Sequence, residues 1–276
     1  MRVPKARGTP VSQRRQNVWL QSFGNYRLTV TPERLSAWLG QFAPEHTDVA
    51  ARVLDVVEFF GAERIGKAFQ NVLARLPGWH QHKKKRVGRW YFAAFSSSAG
   101  ESGDTMLHRF RQANSLDRSA YDSLFVYKRD LLVDAPSAHD SVVFVDDFSA
   151  TGNQAIDAWN GTLSELLPGS PKTYLLLVAV SRAAKLRIAQ DTQLKVYSPT
   201  TLMEEDNILG GKCTHFSARE KEILLSYCSL ADKKSPRGYG DCGFVVVFSH
   251  GCPNNSVPIL HRNHVKWRGL FPRDAG

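Results

Sequence analysis

Two adjacent carboxylates, Asp146 and Asp147, follow the apolar run Val142-Val143-Phe144-Val145, and a short polar turn from Phe148 to Asn153 follows them. The two halves of this segment suit different chemistry. Ser149, Thr151 and Asn153 bring hydroxyl and amide donors, with Ala150 between them, and Gly152 lets the backbone come close. Successive N–H groups of such a turn can be aimed at one phosphate. Gln154 then opens a helix, whose N-terminus adds positive partial charge. Carboxylates are the wrong groups for that phosphate, because like charges repel. Asp146 and Asp147 can instead accept hydrogen bonds from a ribose diol, help hold Mg²⁺ through water, or stabilise positive charge on a sugar ring as its C1 bond breaks. The alternative is a nucleotide-hydrolase strand in which both acids handle Mg²⁺ and water. No GxxxxGK[ST] turn stands upstream to support it.

Such a segment needs a scaffold that ends a buried strand at the ligand. VVFV and Tyr174 to Val180 (YLLLVAV) are continuous apolar runs, as parallel strands buried on both faces require. Strands are expected at Trp90 to Phe95, Leu124 to Lys128, Val142 to Val145, Tyr174 to Val180 and Leu194 to Tyr197. Helices are expected between them near Asp104 to Ala113, Gln154 to Leu167 and Ala183 to Gln190. The alternation predicts an α/β fold with a doubly wound, mostly parallel sheet over residues 81–200, with ligands beyond the carboxyl ends of its strands.

The flanks read differently. Residues 1–30 are expected as a flexible basic arm, with Arg2, Lys5, Arg7, Arg14 and Arg15 and no acid in the first sixteen positions. Residues 31–80 form a helical segment: Thr31-Pro32 starts one helix, Thr47-Asp48 a second with an apolar stripe from Val49 to Phe60, and Ile65 to Leu76 a third. Residues 201–276 are expected as a C-terminal cap, with a helix around Ser217 to Leu230 and a strand Phe244 to Ser249. In its last part Asn254, Asn255, Ser256 and Trp267 suit either base or partner recognition or a docked, buried tail.

The segment VVFVDDFSATGNQ resembles the PRPP-binding motif of type I phosphoribosyltransferases: a hydrophobic strand, two acids, three variable residues, Thr-Gly and a helix. Gln154 departs from the pattern, standing where a small hydroxyl residue is usual. The resemblance implies that Asp146 and Asp147 hold the ribose and that Ser149 to Gln154 hold the 5′-phosphate. It also implies a pyrophosphate grip in the small-residue loop ending at Ser102-Gly103, and a cation at the second strand's end, where Lys128-Arg129 stand. Solvated loops and strand ends are the plain readings of those two features. With the helices before it and the ending after it, the core further resembles phosphoribosyltransferase-like effectors encoded beside retrons and other bacterial conflict systems. That implies glycosyl transfer or nucleotide hydrolysis on PRPP or a nucleotide, in a toxin restrained by a partner such as a reverse transcriptase with its RNA–DNA product. A pocket that senses PRPP or a nucleotide without reacting, or a nucleic-acid-associated module, remains the other class.

Composition bounds the partners. Lys and Arg total 36 against 26 Asp and Glu, a net charge of +10, which favours polyanions. The run His82-Lys83-Lys84-Lys85-Arg86, with Arg89, is either a solvated loop or a polyanion contact. Cys213, Cys228, Cys242 and Cys252 form no CxxC pair, as expected of reduced thiols in a cytoplasmic protein, and their spacing from nearby histidines matches no common zinc pattern. No apolar run spans a bilayer, so no membrane partner is expected. Oligomerisation stays open.

Overall fold

The computed structural model describes residues 11–95 and 102–273. Helices α1 (Gln13–Phe23), α2 (Pro32–Leu39) and α3 (Thr47–Asp55) precede strand β1 (Glu58–Phe60), α4 (Ala62–Ala74) and β2 (Trp90–Ala94). Next come α5 (Ser102–Ala113), α6 (Asp130–Asp134), β3 (Ser141–Ser149), α7 (Asn153–Ala158), β4 (Lys172–Ser181) and α8 (Arg182–Asp191). Strands β5 (Lys195–Tyr197) and β6 (Thr200–Leu202), helix α9 (Ala218–Ala231) and strand β7 (Val246–Phe248) follow. Two compact units result: Met1–Ala62 with Glu204–Gly276, and Glu63–Met203. No helix among the described residues is long and apolar enough to cross a membrane.

The 63–203 unit is the α/β part. Its sheet runs β2-β3-β4-β5, with β6 also on β4, and every one of these pairings is parallel. On one face Tyr91, Ala93, Val142, Phe144, Leu175 and Leu177 pack against Ala155 and Trp159 after β3 and Ala184 and Ile188 of α8. On the other, Phe92 meets Phe110 of α5 with ring centres 5.2 Å apart, and Phe110 meets Phe69 of α4 at 5.7 Å. The sheet is therefore doubly wound. The last contact explains why this unit starts at Glu63 and not at the expected 81: α4 covers the α5 side of the sheet.

The amino ends of β2 and β3 are clipped together by Asp140. Its carboxylate accepts from the Arg89 N–H at 2.8 Å, from the Arg89 side chain at 2.9 Å and from the Ser137 N–H at 2.8 Å. Burial disfavours the charged form, but these donors outweigh it and hold the carboxyl well below its ordinary range. The expected strand Leu124 to Lys128 shrinks to a single parallel bridge, Phe92 to Phe125. The Tyr127 N–H meets the Asp130 carboxylate at 3.3 Å and the chain turns at once into α6.

The other unit joins the two ends of the chain. Trp19, Phe23, Leu35, Trp38, Leu54, Leu224, Val247, Ile259, Trp267 and Phe271 share one core, and β1 pairs in parallel with β7. Residues 13–23, expected within a flexible arm, are helix α1. Ser12 caps it, Trp19 and Phe23 are buried along it, and Arg15 bonds to Asp55 and Asp48. The Arg15 charge there belongs to ion pairs with Asp48 and Asp55, Arg14 is exposed, and Arg2, Lys5 and Arg7 lie outside the described residues. The stripe expected as helix through Phe60 ends at Asp55, because Glu58 to Phe60 pair as a strand instead. Trp267 is buried and its indole N–H donates to the Ile259 carbonyl at 3.0 Å. Ser256 is fully buried on the Val246 backbone, and the Asn255 amide donates to the Tyr239 carbonyl. That segment is a docked tail with its stacking face covered.

Candidate functional site

The chain order of the sheet locates the site. After β2 the chain bridges at Phe125 on one side of β2, whereas β3 pairs on the other. The connections diverge too, since α5 lies on the Phe92 face and α7 on the Phe144 face. This is a topological switch point, where open α/β sheets hold ligands beyond the carboxyl ends of the strands.

At this edge β3 outruns its neighbour. Pairing with β2 ends at Ala94 and Val145, while β3 stays on β4 through Asp146–Leu177, Phe148–Ala179 and Ser149–Val180. Successive side chains of a strand alternate between faces, so Asp146 lies on the Phe144 face and Asp147 on the Val145 face. The acids straddle the edge and do not form a side-by-side pair. Asp146 is buried and accepts the Asp147 N–H at 2.9 Å; Asp147 is half-buried.

The turn after them is anchored on one side. The Ala150 carbonyl accepts the Ser181 hydroxyl at 2.6 Å, the Thr151 carbonyl accepts Arg187 Nη1 at 2.7 Å, and the Gly152 carbonyl accepts the Ile156 N–H at 3.0 Å. In a trans peptide C=O and N–H point opposite ways. The N–H groups of Thr151 and Gly152 therefore face away from α8, and they have no acceptor among the described residues. The Thr151 hydroxyl accepts the Asn153 N–H at 3.3 Å, and Asn153 Oδ1 is held by Arg187 at 2.8 Å. Ser149 is half-buried, Ala150 buried, and Gln154 exposed on the first turn of α7.

Gly152 is also required on the side that faces α8. Its φ is +81°, and a Cβ there would stand 3.3 Å from both the Ala184 carbonyl and Ile188 Cγ1. The missing side chain admits α8.

The remaining candidates are unevenly placed. Lys128 Nζ donates to the Phe95 carbonyl at 3.1 Å, which puts a cation at the carboxyl end of β2. Arg129 is 82% exposed, with its Nε 3.6 Å from Asp130 and its guanidinium over Tyr127. Gly103 is buried in the first turn of α5, where Ser102 begins the helix, and Ser96 to Glu101 of the expected pyrophosphate loop lie outside the described residues. A separate groove of about 820 Å³ follows the outer edge of β5, lined by Arg75, Lys185 and Lys195, and holds none of these candidates.

A strand ending in two acids, a turn with two outward N–H groups and a cation at the end of β2, all at the switch point, suit a phosphorylated sugar. The PRTase-CE family model matches residues 35–273. The chain belongs to the PRTase-CE family. It is a phosphoribosyltransferase-like protein, with the α/β fold and mostly parallel sheet expected of one. A comparison with curated proteins found no match.

In this PRTase-CE chain, reading the sequence missed Ser181 and Arg187, which set the orientation of the turn. Ser181 was legible only as the N-cap of α8, where it accepts the Ala184 N–H at 2.9 Å. Arg187 stands 34 residues beyond Asn153, on a helix whose sequence gives no sign of that contact.

Proposed function

We propose that this chain binds PRPP or a nucleotide by its 5′-phosphate and acts at ribose C1. The outward N–H groups of Thr151 and Gly152, at the switch point and next to two carboxylates, carry this reading. The phosphate sits on the turn from Ser149 to Gln154, and the ribose lies over Asp147, with Asp146 fixing the strand end behind it. Lys128, Arg129 and the start of α5 at Ser102-Gly103 serve the pyrophosphate. As the C1 bond breaks, its electron pair leaves with pyrophosphate or the base, and the carboxylates stabilise the cationic ribosyl group until a nucleophile closes on C1. Two carboxylates suit Mg²⁺ held through water and substrate oxygens, and among the described residues no group of three or more His, Cys, Asp or Glu side chains forms an all-protein cage. Mg²⁺ would supply charge neutralisation of the leaving pyrophosphate.

The test is an Asp146→Asn/Asp147→Asn protein incubated with PRPP, Mg²⁺ and mixed bases or nucleotides. Pyrophosphate and free-base release should vanish while the protein stays folded. Unchanged release would reject the assignment. Tight PRPP binding by the unmodified chain without any product would favour a sensor.

We propose further that the chain is an effector of a bacterial anti-phage system of the retron type, restrained by a reverse transcriptase with its RNA–DNA product. The net charge of +10 and an ordered basic turn support polyanion contact. In that turn Arg86 donates to the His80 and Gln81 carbonyls at 2.7 and 2.8 Å and stacks 4.6 Å from Trp79, leaving Lys83, Lys84 and Lys85 exposed. Growth arrest on expression, relieved by co-expressing a retron-type reverse transcriptase with its RNA, is the expected outcome.

A further inference from the structure

The turn Ala150 to Asn153 is held from behind by α8. Ser181 and Arg187 take the carbonyls of two successive peptides, at 2.6 and 2.7 Å, and Arg187 takes the Asn153 side chain as well, at 2.8 Å. Each of the two bonds to a carbonyl fixes the plane of a peptide whose N–H faces the opposite side. Without them a four-residue turn has several peptide orientations of similar energy, and only some present two N–H groups to one anion. Arg187 is the more telling of the pair. Ser181 is buried and also caps α8, so the helix alone accounts for it. Arg187 is exposed, and an exposed arginine gains little stability from two hydrogen bonds while its side chain gives up rotamer freedom. Its charge also lies beside the turn, where it favours a dianion across the peptides it holds.

We infer that Arg187 is a positioning residue for the phosphate turn: its guanidinium orients the Thr151–Gly152 peptide and the Asn153 side chain so that the turn captures a 5′-phosphate. This rests on the phosphoribosyl-binding reading. Arg187 does not touch the ligand, and it acts through the peptides that do.

The experiment titrates ribose 5-phosphate, with ribose as the control, into the unmodified chain and into the Arg187→Gln and Arg187→Lys variants. Amide NMR of Thr151 and Gly152 and thermal unfolding are followed in parallel. In Arg187→Gln the dissociation constant for ribose 5-phosphate should rise about tenfold, the loss of one charge-assisted hydrogen bond. Its melting temperature should hold, and the ligand-induced shifts of the two amides should shrink. Arg187→Lys keeps the charge but not the planar fork, so it should recover only part of the affinity. Affinity unchanged in Arg187→Gln, or fully restored in Arg187→Lys, would overturn the inference and leave the binding site standing. Equal loss of stability and affinity, with the amide shifts intact, would overturn it in favour of a structural role. If the unmodified chain does not bind ribose 5-phosphate, both this inference and the reading beneath it fall.

Discussion

Gly152→Ala isolates the contact between the phosphate turn and α8. Gly152 has φ +81°, and the added methyl group would lie 3.3 Å from the Ala184 carbonyl and from Ile188 Cγ1. A left-handed backbone costs a non-glycine residue about 1–2 kcal/mol. Forcing a methyl group against the buried face of α8 at Ala184 and Ile188 adds about 1–3 kcal/mol. Part of that is relieved if the turn swings outward, so a loss of about 3 kcal/mol is expected for the α/β unit. At roughly 3 °C per kcal/mol for a domain of this size, the melting temperature should fall by about 10 °C. Swinging outward breaks the Ser181 and Arg187 bonds, so ribose 5-phosphate should also lose its stabilising effect. Differential scanning fluorimetry with and without the ligand measures both. Gly161→Ala is the control, because nothing lies within 4 Å of its Cβ position and its φ is not positive; it should be neutral or slightly stabilising. A melting temperature for Gly152→Ala equal to that of Gly161→Ala would refute the packing argument.

The other unit has a pH dependence of its own. Burial pushes the His261 imidazole down to about 4, with the nearby Arg273 and Arg262 charges adding to it and the Ser256 carbonyl and Asp232 opposing. The folded chain thus takes up this proton later than the unfolded chain, whose ordinary value is 6.5. The contribution is complete above pH 6.5 and is lost as pH falls from 6.5 towards 4. His261→Gln should flatten the melting profile over that window, and an unchanged slope would exclude His261 as its source. For the basic turn, a Lys83→Glu/Lys84→Glu/Lys85→Glu protein should bind a labelled single-stranded oligonucleotide more weakly. The log–log salt slope should drop by about 2 if each lysine meets a phosphate of the single strand, and an equal slope would assign that turn to solubility alone.

The parts of this chain that were legible are those whose cause is local. A strand, two acids, a small turn and a helix occupy thirteen consecutive residues, so VVFVDDFSATGNQ reads directly as a strand–turn–helix at a sheet edge. The buried strands β3 and β4 announce themselves as apolar runs for the same reason, and Ser217 with Glu220 marks the start of α9 through a reciprocal cap. Short elements that exist only through a distant partner were not legible. β1 is three residues long and follows a helix of the same apolar character; only its pairing with Val246 to Phe248 makes it a strand. Arg15 helped make the N-terminal segment look like an arm, because its charge is visible in a sequence and the acids that pair with it, at positions 48 and 55, are not visible as partners.

The same distinction holds within the site. Residue types near Asp146 state which groups are available, but not which way each peptide faces, and for the proposed binding through backbone N–H groups the facing is what matters. That facing is set by Ser181 at the end of β4 and Arg187 on α8, and by a glycine whose open side receives that helix. It also separates the two acids. Alternation along a strand that β4 extends to Ser149 puts Asp146 and Asp147 on opposite faces, whereas a chain leaving the sheet at Val145 would have left them free to converge. Asp147, the less buried of the two, is therefore the carboxylate to expect at the ribose, and Asp146 is the one whose removal should first disturb the strand end.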